Sequence, residues 1–115
     1  MQQRVGFVGL GDMGEPMAHN LIAKGFDVTV FDVRPTPLTV AKSKGARSAE
    51  TLRDLADASD LIGLCVWSEE QLLECIYGER GLFASQGRAR TLLIHSTVTP
   101  RAVQRIANDC ASRGW

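Results

Sequence analysis

A glycine-rich turn between an apolar run and a helical pattern constrains this chain more than any other feature. The run ends at Val8, and Gly9, Gly11 and Gly14 follow with the spacing Gly-x-Gly-x-x-Gly. Glycine permits the backbone angles of a tight turn, and its missing side chain lets a ligand or a helix approach the backbone closely. The next helix would point unpaired N–H groups at an anion. The motif therefore predicts a strand, a phosphate-binding turn and a helix.

The segments that follow favour a dinucleotide as the source of that phosphate. Met13, Met17 and Leu21 have helical spacing and predict the buried face of the first helix. Residues 28–31 are β-branched or aromatic, and they predict a second buried strand that ends at Asp32. An acid at this distance from the glycines accepts hydrogen bonds from ribose hydroxyls in dinucleotide-binding folds. We therefore expect Asp32 to hold the adenosine ribose, with an incidental acid after a generic strand–turn–helix as the alternative.

The rest of the chain alternates between strand and helix patterns. Further strands are predicted at residues 46–48, 60–66 and 91–95, and further helices at residues 38–44, 51–57 and 69–77. A last helix is predicted after the N-cap Thr99, with a buried face formed by Val103, Ile106, Ala107 and Cys110. This alternation predicts an α/β fold of the Rossmann type, in which a doubly wound, mostly parallel sheet of order 3-2-1-4-5 carries helices on both faces.

Length and composition narrow the class of protein. The 115 residues predict one domain, which spans residues 1–115. Thirteen basic and thirteen acidic residues cancel, so charge favours neither nucleic acid nor an anionic membrane as partner. We expect no membrane span, no secretory leader and a cytoplasmic location. Cys65, Cys75 and Cys110 lie in apolar patterns, and reduced core thiols are a better interpretation than a metal site.

Three motifs carry a family resemblance. The segment from Gly6 to Gly14, Gly-Phe-Val-Gly-Leu-Gly-Asp-Met-Gly, resembles the β-hydroxyacid dehydrogenases, which include 3-hydroxyisobutyrate and 6-phosphogluconate dehydrogenases. Ser-Thr-Val-Thr-Pro at residues 96–100 is similar to the Ser-Thr-x-x-Pro segment of that family, and residues 78–82 are similar to its Gly-x-x-Gly-Leu turn. The resemblance spans essentially the whole chain.

The resemblance implies an oxidoreductase that passes hydride between a 3-hydroxy acid and a nicotinamide cofactor, assisted by a lysine. It implies that the glycine-rich turn cradles the diphosphate, with Asp12 contributing only its backbone. Ser96 and Thr97 are implied near the nicotinamide ribose or the substrate carboxylate. The cofactor-binding residues implied in this way are Gly9, Leu10, Gly11, Asp12, Met13, Gly14, Asp32, Arg34, Val66, Trp67, Ser96 and Thr97.

By the same resemblance, the chain corresponds to the N-terminal cofactor-binding domain of such an enzyme. The C-terminal substrate and dimerisation domain, with its lysine, is expected to lie outside these residues, so no catalytic residue is expected within them. A small hydroxy acid is the expected substrate of the whole enzyme. An open edge of the parallel sheet is an association hazard, so we expect pairing through that edge, possible homo-oligomer formation, or marginal stability.

The choice of cofactor and enzyme class leaves alternatives. The Asp32 carboxylate would repel the 2′-phosphate of NADP and therefore favours NAD. Arg34 could still bind that phosphate, so NADP is the alternative. Arg34 lies one residue later in the chain than the arginine of relatives that use NADP. An NADP-dependent imine reductase domain and a non-catalytic dinucleotide-binding module are the other candidate functions.

Three positions near the strand ends leave further questions open. Trp67 replaces a proline that is common in relatives, and we expect it either to wall the cofactor or to cover the sheet end. Ile94 stands where relatives often carry an acid, which leaves the substrate class open. His95 is interpreted as a structural histidine at a strand end rather than as an acid–base catalyst.

Overall fold

A five-stranded parallel sheet organises the computed structural model, which describes residues 3–86 and 89–115. The strands are β1 (Arg4–Val8), β2 (Asp27–Phe31), β3 (Arg47–Ser48), β4 (Leu61–Leu64) and β5 (Thr91–Ile94). The helices are α1 (Gly14–Ala23), α2 (Pro35–Ser43), α3 (Leu52–Asp57), α4 (Glu69–Tyr77) and α5 (Pro100–Ser112), and a 3-10 turn covers Leu82–Ala84. The sheet order is β3-β2-β1-β4-β5. This order confirms the predicted Rossmann-type fold.

The strand register brings the carboxyl ends of three strands to one level. Val8 pairs with Phe31 of β2 on one side and with Leu64 of β4 on the other. The chain order reverses direction at β1, because β2 and β3 lie on one side of it and β4 and β5 on the other. Ligands bind at such a switch point in open α/β sheets, in the crevice outside the carboxyl ends of the strands.

The two faces of the sheet are covered by two separate hydrophobic clusters. Successive strand residues point to opposite faces, so Phe7 packs into one cluster and Val8 into the other. The first cluster includes Phe7, Leu10, Ala18, Val28, Val30 and Ala41. The second includes Val8, Leu55, Ile62, Leu64, Leu72, Ile76, Leu82 and Ile106. Burial on both faces accounts for the continuous apolar runs of the central strands.

Two predicted helix faces differ from the structure. Met13 is 70% exposed, because it is the N-cap of α1 and lies before the first helical turn, so the expected stripe begins at Met17. In α5 the buried residues are Ala102, Ile106 and Cys110, which are four apart, so the prediction of Val103 and Ala107 was wrong. Both of those side chains lie about 100° around the helix from that face and are exposed.

Two element boundaries differ from the prediction by more than one residue. The helix predicted at residues 38–44 begins at Pro35, because proline at the first helical position lacks only an N–H that would be unpaired anyway. The strand predicted at residues 60–66 ends at Leu64, although the amide of Cys65 still donates to the carbonyl of Val8 at 2.9 Å. The residues after Leu64 therefore leave the strand at the carboxyl edge of the sheet.

No helix within residues 3–86 and 89–115 combines the length and apolarity that crossing a bilayer requires.

The three cysteines are free thiols, with Cys110 buried and Cys65 and Cys75 half-buried. Burial, together with the nearby charge of Glu74, raises the pKa of Cys75 to about 11. This thiol is therefore protonated at neutral pH and is a weak nucleophile there.

Candidate functional site

Each glycine of the turn that joins β1 to α1 meets a different steric demand. Gly9 has φ of 94°, and a Cβ there would lie 2.1 Å from the carbonyl oxygen of Cys65. A Cβ on Gly14 would lie 1.9 Å from the carbonyl oxygen of Gly9. A Cβ on Gly11 would meet only Trp67 Nε1, at 3.9 Å, so that glycine borders open space. Gly9 and Gly14 are thus required by the fold, whereas Gly11 leaves room for a ligand.

The turn presents a run of unengaged amide groups. The amides of Gly9 and Glu15 donate to backbone carbonyls, at 3.0 and 2.9 Å, and the amide of Leu10 donates to the Asp32 carboxylate. The N-cap Met13 makes no side-chain capping bond. The next four amides have no hydrogen-bond acceptor among the described residues: those of Gly11, Asp12, Met13 and Gly14. Such amides at a helix N-terminus form an anion-binding site.

Asp32 ties the end of β2 to this turn. Its Oδ2 accepts from the amide of Leu10 at 2.7 Å, and its Oδ1 accepts from the amide and the Nε of Arg34 at 2.9 and 3.2 Å. Burial alone would raise the pKa of Asp32. The hydrogen bonds from Arg34 and Leu10 outweigh that effect and hold the pKa below its ordinary value. Asp32 is therefore a carboxylate that organises the turn, a role that the sequence interpretation missed.

Arg34 contacts both Asp32 and the glycine-rich turn. Its Nη2 donates to the carbonyl oxygen of Leu10 at 3.1 Å, while its side chain is 56% exposed and that of Asp32 only 8% exposed. An ionised carboxylate has about four acceptor positions, and four donors already use those of Asp32: the amides of Leu10 and Arg34, and the Nε and Nη2 of Arg34. A ribose hydroxyl could take one of these positions if the Arg34 side chain turned outward.

A cleft of about 970 Å³ opens beside the turn at the carboxyl ends of β1, β2 and β4. Six of the predicted site residues line it: Gly9, Gly11, Asp32, Arg34, Val66 and Trp67. The lining also includes residues that the sequence interpretation did not select, among them Thr51, Leu52, Gln71, Glu74, Cys75 and Arg80. Glu74 and Cys75 lie three and four residues after Gln71 on α4, so helical periodicity could have identified their shared face.

Ser96 and Thr97 lie at the same edge of the sheet but differ in their contacts. The hydroxyl of Ser96 accepts from the amide of Val66 at 2.9 Å and donates to the Val66 carbonyl at 2.8 Å. Ser96 thus joins the chain that follows β5 to the chain that follows β4. Thr97 is exposed. Neither residue is among the described residues that line the cleft, and the hydrogen bonds of Ser96 join it to Val66, another predicted site residue.

Trp67 stands at the mouth of the cleft with 84% of its surface exposed. The alternative that it covers the end of the sheet is therefore wrong, because a covering residue would be buried. Its amide donates to Gln71 Oε1 at 2.9 Å. His95, also exposed, stacks its ring on Phe7 at a centroid distance of 6.2 Å. The structural role of His95 stays a prediction, which this stacking supports.

Known proteins with similar sequences and structures were found along the whole chain. The 2-hydroxy-3-oxopropionate reductase of Escherichia coli (strain K12) is 34% identical over 111 residues, which are 96% of this chain and 38% of that protein. The mitochondrial 3-hydroxyisobutyrate dehydrogenase of Rattus norvegicus is 32% identical over 110 residues, 96% of this chain and 33% of that protein. The chain thus spans little more than a third of the length of these relatives.

A solved structure of an oxidoreductase from Mycobacterium avium 104 superposes with a TM-score of 0.88 at 34% identity, and the match covers 98% of this chain and 39% of that one. The family model described as the NAD binding domain of 6-phosphogluconate dehydrogenase matches residues 4–115. Because that match covers nearly every residue, the chain belongs to the family of NAD-binding domains typified by that of 6-phosphogluconate dehydrogenase.

Proposed function

We propose that this chain is the cofactor-binding domain of an NAD(P)-dependent 3-hydroxyacid dehydrogenase. The observation that carries the proposal is the row of four unengaged amides, from Gly11 to Gly14, beside a cleft at the carboxyl ends of the strands. The open space at Gly11, which a Cβ would fill, fits the close approach of a diphosphate. The two relatives named above are a reductase and a dehydrogenase of small hydroxy or oxo acids by name, which supports this substrate class.

The proposed roles follow the geometry of the cleft. The amides from Gly11 to Gly14 bind the diphosphate, and Asp32 accepts from the adenosine ribose. Val66 and Trp67 lie along the cofactor. Thr97 offers an exposed hydroxyl to the nicotinamide ribose or to the substrate carboxylate, and Ser96 positions Val66 while it keeps one acceptor lone pair unused.

The bound nicotinamide would supply the hydride acceptor, and the chain's own residues would only bind and orient it. The proton-transferring lysine is proposed to lie in the part of the full-length relatives that these 115 residues do not span. A cytoplasmic location and a homo-oligomeric state remain predictions from the sequence.

We further propose that NAD is preferred over NADP. The charged lining of the cleft consists of Asp32, Glu50, Glu70 and Glu74 against Arg34 and Arg80. Arg34 is already paired with Asp32. A 2′-phosphate placed beside Asp32 would therefore meet a carboxylate rather than an unpaired cation. The same charge distribution disfavours the NADP-dependent imine reductase alternative.

Calorimetric titration of the chain with NAD and with NADP tests both proposals. We expect NAD to bind more tightly than NADP. The D32N variant should weaken NAD binding roughly ten-fold, because hydrogen bonds to a charged group are lost. D27N is the matched control, since Asp27 lies at the opposite end of β2 and pairs with Arg47. Absence of binding for both dinucleotides would refute the cofactor function, and NADP binding as tight as that of NAD would refute only the preference.

A further inference from the structure

The indole nitrogen of Trp67 faces the space where a ligand would approach the glycine-rich turn. Apart from the chain neighbours of Gly11, Trp67 Nε1 is the one heavy atom within 4 Å of the position that a Gly11 Cβ would take. Indole N–H is a donor and cannot accept a hydrogen bond. Among the described residues, no acceptor is within hydrogen-bond distance of this N–H. Trp67 therefore adds a fifth donor beside the four unengaged amides of the turn.

The backbone around Trp67 is fixed on both sides. Gln71 Oε1 accepts from the Trp67 amide at 2.9 Å. The preceding Val66 is held through both its amide and its carbonyl by the Ser96 hydroxyl, and Ser68 caps α4 by accepting from the amide of Gln71 at 3.1 Å. The residue is 84% exposed, so packing does not account for the position of its side chain. An exposed tryptophan on an anchored backbone is typical of a residue that meets a ligand.

The acidic side chains near the turn would repel a bound diphosphate, so uncharged hydrogen-bond donors become important for binding it. Asp12 and Glu15 lie in or next to the turn, and Asp32 touches its backbone. Arg34, which contacts the turn through the Leu10 carbonyl, is also paired with Asp32. A diphosphate bound over Gly11 would thus receive little help from charged side chains, and hydrogen bonds from uncharged groups would have to hold it.

From these contacts we propose that the indole N–H of Trp67 donates a hydrogen bond to the diphosphate of the bound dinucleotide. This role rests on the proposed cofactor function and assigns to Trp67 a polar contact in place of stacking against a ring of the cofactor.

The W67F variant tests the role, because phenylalanine keeps an aromatic face and removes the N–H. W115F is the matched control, since Trp115 packs edge-on against Phe83 at 5.2 Å and does not line the cleft. Affinities for NAD, ADP and adenosine are measured by calorimetry on the wild-type chain and both variants. Comparison of the three ligands distinguishes the contribution of the diphosphate from those of the nucleoside and the nicotinamide.

We expect W67F to bind NAD and ADP roughly ten-fold more weakly than the wild type, with adenosine binding and W115F unchanged. Wild-type affinity of W67F for ADP would overturn the proposal, as would an equal loss for adenosine. A loss for NAD alone would also overturn it, because it would indicate stacking on the nicotinamide. Failure of the wild-type chain to bind either NAD or ADP would instead refute the cofactor function itself.

Discussion

The Asp32 carboxylate accepts the amide proton of Leu10 at 2.7 Å and so joins the end of β2 to the glycine-rich turn after β1. The strand-end acid that is predicted to meet the ribose also sets the shape of the turn that is proposed to meet the diphosphate. If these proposed roles hold, we expect binding of the two halves of the dinucleotide to be coupled through one side chain. Arg34 completes this coupling, since it contacts both Asp32 and the Leu10 carbonyl.

Acid should weaken the fold partly through Asp32. Its pKa in the folded chain lies below the ordinary value of 3.8, so its contribution to stability is present above that value and is lost as pH falls through the lower, folded value. We expect the free energy of unfolding to fall steeply below about pH 4. D32N should show a smaller fall, whereas D12N, which alters an exposed carboxyl, should follow the wild type. Urea unfolding at a series of pH values from 7 to 2.5 measures the free energy of unfolding. If that free energy fell in parallel for the wild type and D32N, the prediction for Asp32 would be wrong.

The glycines of the turn should separate folding from binding. G14A should destabilise the chain by at least about 2 kcal/mol, because its Cβ would overlap a backbone oxygen. G11A should change the free energy of unfolding by less than about 1 kcal/mol, since its Cβ enters open space. G11A should nevertheless abolish measurable NAD binding. Thermal unfolding and NAD titration of both variants provide the comparison, and NAD binding by G11A at wild-type affinity would show that the diphosphate does not approach this residue.

Ser96 and Thr97 should differ sharply in their effect on stability. S96A removes both hydrogen bonds to the backbone of Val66 and should cost about 1–2 kcal/mol. T97A should cost less than about 0.5 kcal/mol, because Thr97 is exposed. Chemical denaturation measures both values. Equal, small losses for the two variants would indicate that the Ser96 contacts do not hold the chain after β4.

The outer strand β5 should promote self-association. It pairs only with β4 in the described chain, and Leu93 on it is 44% exposed. An open strand edge with apolar side chains is a template for pairing. We expect concentration-dependent association in sedimentation equilibrium, and L93E should shift it toward monomer. V33E, which changes an equally apolar exposed residue elsewhere, should not. A monomeric wild type at high concentration would contradict this prediction.

The strand and helix patterns anticipated most of the fold. Apolar runs of four to seven residues alternated with helical spacing, and the five-stranded parallel order followed from that alternation. Helix faces were harder to predict. At α5 the sequence allowed either Val103 and Ala107 or Ala102 to accompany Ile106, because small apolar residues on adjacent flanks give the same periodicity. In the structure Ala102 is buried together with Ile106, whereas Val103 and Ala107 are exposed.

The sequence by itself determined the turn, its helix and the strand-end acid, because glycine spacing and apolar periodicity are local properties. Only the tertiary structure decided what those residues do to one another. Asp32 meets Leu10 across 22 positions of the chain, and Ser96 meets Val66 across 30. Contacts of this kind depend on strand register and crossover geometry, which bring the carboxyl ends of separate strands to one edge, and no local pattern encodes them.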